Sequence, residues 1–114
     1  MKKILLMAIM TGLSMMAHAN DESESTCYMF SGDTVKSEQS CQIETSEGRR
    51  AYSVDINMNG DSYEIFVWHD GTVDVNGKKA KAYYRDDAMK VTTDDDSVSL
   101  SCYQTLDKSI DVCY

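Results

Sequence analysis

The sequence predicts an all-β fold: a small antiparallel meander, forming a barrel or sandwich, stapled by two disulfides. Three observations carry this. Turn signals recur at short intervals, at Ser31-Gly32-Asp33, Ser46-Glu47-Gly48, Asn59-Gly60, Asp70-Gly71, Asn76-Gly77, Asp94-Asp95-Asp96 and Asp107-Lys108. The runs between them are short and rich in Val, Ile, Tyr and Thr, the composition of half-buried strands. The cysteines, Cys27, Cys41, Cys102 and Cys113, are even in number in a short chain, which reads as a disulfide framework.

The N-terminus stands apart from this pattern. Lys2 and Lys3 precede a mostly apolar run over residues 4–16, and Ala17-His18-Ala19 fits a small-x-small cleavage site. Residues 1–19 are therefore expected to be a signal peptide, too short and interrupted to span a bilayer well. No cysteine follows the run directly, so no stable membrane anchor is expected after cleavage. The expected destination is a bacterial periplasm or the medium beyond. Residues 20–26 are acidic and lack apolar anchors, which suggests a flexible acidic arm. Residues 27–114 form a single domain.

Each strand pair can be tested by register. The stretch 55–65 admits two readings. Asp55, Asn57, Asn59 and Gly60 match the start of a twelve-residue calcium loop, but its eighth and twelfth positions are Ser62 and Phe66, where an apolar residue and a bidentate Glu are required. As a two-residue turn, Asn59-Gly60 instead sets Ile56 against Tyr63, Val54 against Ile65 and Tyr52 against Val67, with Asp55 against Glu64 on the other face. A one-residue slip destroys that match, so the hairpin is the expectation.

An Asp70-Gly71 turn of the same kind sets Trp68 against Val73 and Phe66 against Val75. The strand would then be apolar on both faces and covered on both. The competing reading makes Phe66 and Trp68 an exposed patch and a binding surface. An Asn76-Gly77 turn sets Lys79 against Asp74, and residues 76–91 read as a strand followed by a turn at Asp86-Asp87. The last turn sets Cys102 against Cys113 and Tyr103 against Val112, leaving Cys27 to pair with Cys41. Sequence alone leaves the other two connectivities open.

Charge bounds the function. The chain carries 19 acidic and 11 basic residues, and loss of Lys2 and Lys3 with the leader leaves a formal charge of −10. Such a surface disfavours nucleic acid, whose binding depends on basic side chains releasing phosphate counterions. It suits attraction to a basic protein in the envelope. No enzyme is expected. His69 is the only histidine after the leader and falls in a turn, and no nucleophile or phosphate-loop motif occurs. With no Cys-x-x-Cys, no zinc site is expected, and the residues call for no cofactor.

Candidate binding residues are Trp68, Tyr83, Tyr84 and Arg85, the last three within a basic cluster with Lys78, Lys79 and Lys81. Basic residues interleaved with aromatics can grip an anionic chain. Cross-strand pairing with the surplus acids is the favoured role here. The resulting expectation is a small exported acidic binding protein, of an inhibitor or immunity type for a basic envelope hydrolase or toxin. The alternatives are a carbohydrate- or envelope-binding module and a structural surface-assembly subunit.

Overall fold

The computed structural model describes residues 21–114, so the expected signal peptide and Asn20 lie outside the described residues. Nine strands follow in chain order: β1 (Asp21–Ser31), β2 (Thr34–Glu47), β3 (Ala51–Met58), β4 (Asp61–Trp68), β5 (Val73–Val75), β6 (Lys78–Arg85), β7 (Val91–Thr92), β8 (Leu100–Thr105) and β9 (Asp111–Cys113). A 3-10 turn, Asp95–Ser97, lies between β7 and β8, with the Asp94 carboxylate accepting from the Asp96 amide. The sheet runs β5-β4-β3-β2-β1-β9-β8-β6-β7, and β5 also pairs with β6. That last pairing closes eight antiparallel strands into a barrel and leaves β7 as an extra strand on β6. The expected meander thus closes as a barrel, each of its eight strands paired on both sides along at least part of its length.

Closure at this size leaves an interior that side chains can fill. Alternate residues point inward: Val54, Ile56 and Met58 from β3, Ile65 from β4, Val73 and Val75 from β5, Tyr103 from β8 and Val112 from β9 form the core with Ile43. Cys27 and Cys41 join it and are bonded to each other. A second, smaller cluster sits outside the barrel wall. Phe30, Leu100 and the bonded Cys102 and Cys113 are covered there by Tyr28, Tyr83 and Met89. Both expected disulfides are therefore present. Their sequence separations of 14 and 11 residues imply that each restricts the unfolded chain by about 3 kcal/mol.

Turn chemistry sets the registers. Asn59 and Gly60 both take positive φ (50° and 89°), as a type I′ turn requires. The pairs Ile56–Tyr63, Val54–Ile65 and Tyr52–Val67 form as expected. The Lys79–Asp74 and Cys102–Cys113 registers also form. The β4–β5 turn differs. The Gly71 amide donates to the Trp68 carbonyl and the Trp68 amide to that of Thr72, so the loop holds three residues, His69, Asp70 and Gly71. Gly71, at φ 95°, supplies the left-handed residue that such a loop needs. The one-residue slip pairs Phe66 with Asp74 and Val67 with Val73. Val73 and Val75 therefore turn inward, and Phe66 and Trp68 face out, not into a second core.

Residues 21–26 differ from expectation too. They form the first part of β1, in register with β2 from Asp21–Thr45 to Thr26–Ser40. Backbone pairing to a long neighbour holds them, a force that does not need the apolar anchors this stretch lacks.

Candidate functional site

The β1–β4 wall brings unlike things together on its outer face. Side chains alternate across a strand, so the residues between the inward ones share this face. Registers then align Glu22, Glu44, Asp55 and Glu64 in one row across four adjacent strands. Neighbours in such a row are about 5 Å apart. Burial pushes the Asp55 carboxyl above the usual carboxylate range, and the charges of Glu64 and Glu44 push it further in the same direction. A groove of about 410 Å³ runs over Glu44, Asp55 and Glu64 of this row, with Asn57, Ser62 and Asn76 also at its rim.

The next row along the same face is Ser46, Ser53, Phe66 and Asp74, about 7 Å away at two residues' rise. Beyond it Trp68 lies opposite Ala51. The Phe66 and Trp68 rings are 5.9 Å apart between centroids, tilted by 32°. Trp68 is 36 % exposed, and its indole N–H donates to Asp74 at 3.1 Å.

Arg85 has a different fate. It is 2 % exposed. Its guanidinium lies 3.8 Å from the centre of the Phe30 ring. It donates to the Gly32 carbonyl at 3.0 Å, the Met89 carbonyl at 2.8 Å and, through two nitrogens, the Tyr83 hydroxyl. Asp33 adds an ion pair at 3.4 Å. The Tyr83 hydroxyl in turn donates to Asp111 at 2.5 Å, and Gln104 donates to the other Asp111 oxygen. Burial, reinforced by the bond to Asp111, pushes the Tyr83 phenol up to about 12. Burial raises Asp111 also, against the opposing pull of Tyr83, Arg85 and Lys81. This chain fastens the β1–β2 turn and the 86–90 turn to the barrel wall. Beside it a cleft of about 230 Å³ is bordered by Asp33, Lys81, Gln104 and Val91.

The four candidate binding residues are thus not one site. Tyr83 and Arg85 bond to each other on the outer face, and Tyr84, exposed, points to the opposite face of β6. Trp68 belongs to the β1–β4 wall. Lys78 leaves the cluster and pairs with Asp107 at 3.1 Å, while Lys79 and Lys81 share the outer face of β6 with Tyr83. His69 is an exposed residue of the three-residue loop. Among the described residues no group of three or more His, Cys, Asp or Glu is arranged to hold a metal. Sequence reasoning missed Glu22 and Glu44 as members of the acidic row. The signal lay in the β1–β2 and β2–β3 registers. The first starts from a two-residue Gly32-Asp33 turn but shifts at an irregularity between Met29 and Phe30, and the second has no Asn-Gly or Asp-Gly turn to fix it.

The chain matches no family model, and no curated relative or solved structure is significantly similar to it. The class that fold and bonds define is a small disulfide-stapled β-barrel. Two disulfides point to an oxidising environment, periplasmic or extracellular. No described helix is long and apolar enough to cross a membrane.

Proposed function

We propose that this domain is an exported acidic binding protein that docks a basic protein through its β1–β4 wall. An inhibitor or immunity-type role against a basic hydrolase or toxin of the envelope fits this reading. One observation carries it: the row Glu22, Glu44, Asp55 and Glu64 lies beside the outward-facing pair of half-buried Phe66 and exposed Trp68. Like charges directly opposite each other destabilise a sheet. A row of them is a cost to folding that a complementary basic surface turns into attraction. The acidic field would speed encounter, and the aromatic pair would anchor the contact.

Affinity capture tests the proposal. The oxidised domain and its Trp68→Ala variant are immobilised, and periplasmic extract and culture supernatant are passed over both. One basic protein held by the wild type, released by salt and missing from the variant is the expected result. Equal retention on both would sink the proposal.

The exposed Trp68 also favours a second reading, a carbohydrate-binding face on which a sugar ring stacks. It predicts a change in Trp68 fluorescence on titration with oligosaccharides, where the protein-docking reading predicts none.

A further inference from the structure

The barrel wall has a seam. β9 pairs with β1 only at Tyr28 and Met29, while β1 continues along β2 as far as Asp21. Among the described residues, the opposite edge of β1 over 21–26 has no strand beside it. Hydrogen-bond alternation shows which groups line that edge. Ser101 and Tyr114 exchange both backbone bonds, so Tyr114 and Val112 point toward β8 and Cys113 points toward β1. Its partner Tyr28 therefore points toward β9, and by the same alternation the amides and carbonyls of Thr26, Glu24 and Glu22 point out of the open edge. The ladder to β2 uses the residues between them. Residues Glu22, Ser23, Glu24, Ser25 and Thr26 are all exposed.

We infer that this edge accepts an extended basic segment of the partner protein as an added strand. The inference rests on the docking function proposed above and specifies how the partner is held. Main-chain bonds to an open edge give such a complex its affinity, and alternate side chains give it specificity. The specificity is set by charge. Outward residues of an added strand would lie beside Glu22 and Glu24, and the position opposite Glu22 would extend the row Glu22, Glu44, Asp55 and Glu64. Lys or Arg at alternate positions matches this edge. Inward residues would meet only Ser23 and Ser25. A second copy of the chain fits badly, because its own β1 edge would set Glu22 and Glu24 against the same residues. Like-charged edges are a common guard against such self-pairing.

The test is an NMR titration of the oxidised domain with a capped Lys-Val-Lys-Val-Lys-Val peptide and with its Glu-Val counterpart. The expected result is that the Lys peptide alone shifts the amides of Glu22, Glu24 and Thr26 and slows their hydrogen exchange. Thr26→Pro deletes one edge donor, keeps every charge and leaves the β2 ladder intact. It should weaken binding about tenfold, the size expected for one backbone hydrogen bond. Glu24→Gln keeps every donor and should weaken binding through charge alone. Shifts confined to Asp55, Glu64 and Trp68 would overturn the edge inference and leave the wall reading standing. Undiminished binding by Thr26→Pro would overturn it too. No binding of the Lys peptide would do the same, and capture of a basic protein by the wild type would then still support the wall.

Discussion

Neutralising the centre of the acidic row should stabilise this protein. Asp55 is flanked by Glu44 and Glu64 in adjacent strands, and its side chain is half-buried. Each directly opposed like-charge pair costs roughly 0.2–1 kcal/mol. Asp55→Asn removes both pairs with little change in shape, so the gain at neutral pH is about 1 kcal/mol. For a domain of this size that raises Tm by about 4–8 °C. The sign with pH follows from the raised Asp55 pKa. A carboxyl raised in the folded state penalises folding once ionised, so its contribution is favourable at low pH and lost as pH rises through its folded value. The variant's advantage should therefore be full at pH 7 and vanish below the ordinary carboxylate range. It should also shrink in about 1 M salt, where the screening length is only about 3 Å. Thermal unfolding by circular dichroism over a pH series, with and without salt, reads all three. An Asp55→Asn protein that is less stable at pH 7, or equally favoured at low pH, would refute the reasoning that the row opposes folding.

Other substitutions have equally definite outcomes. Arg85→Lys should cost about 3 kcal/mol or more by urea unfolding, because an ammonium cannot reach Gly32, Met89 and Tyr83 together as the planar fork does. Stability should fall as pH rises from about 10, the ordinary phenol value, toward about 12, because Tyr83 stays protonated in the folded state while the unfolded chain ionises. Tyr83→Phe should lessen that fall. Cys102→Ser with Cys113→Ser should cost about 3 kcal/mol, and non-reducing peptide mapping should recover the Cys27–Cys41 and Cys102–Cys113 pairs. Trp68→Ala should cost about 2 kcal/mol of stability, since the ring is largely out of solvent against Phe66 and bonded to Asp74, and yet leave a folded barrel that no longer captures the partner.

Legibility in the sequence followed the turns. The β3–β4 register could be read because a two-residue turn fixes both the count and the face. The β8–β9 register agrees as well, because the four-residue loop 106–109 is centred on the expected Asp107-Lys108 turn and keeps the same pairing. The β4–β5 register slipped because Asp70-Gly71 fits a two-residue turn and the last two residues of a three-residue loop equally well. That single residue decided whether Phe66 and Trp68 were core or surface. Residues 21–26 offered no apolar alternation, so nothing local showed that β2 would hold them. Arg85 looked like a ligand-gripping cation among tyrosines. Its burial depends on Phe30 and Gly32, more than fifty positions earlier, which only the closed barrel places over it. The acidic row needed three registers at once, and only the β3–β4 member was visible in advance.

The central claim is that the acidic row and the aromatic pair together form a docking surface for a basic protein. The most direct measurement is the association rate of the captured protein over a salt series, for the wild type and for Asp55→Asn with Glu64→Gln. The wild-type rate should fall steeply with salt, and the neutralised protein should associate more slowly at low salt with a shallower dependence. A wild-type rate that does not change up to several hundred millimolar salt, about four times the concentration at which the screening length is ~10 Å, would contradict the account.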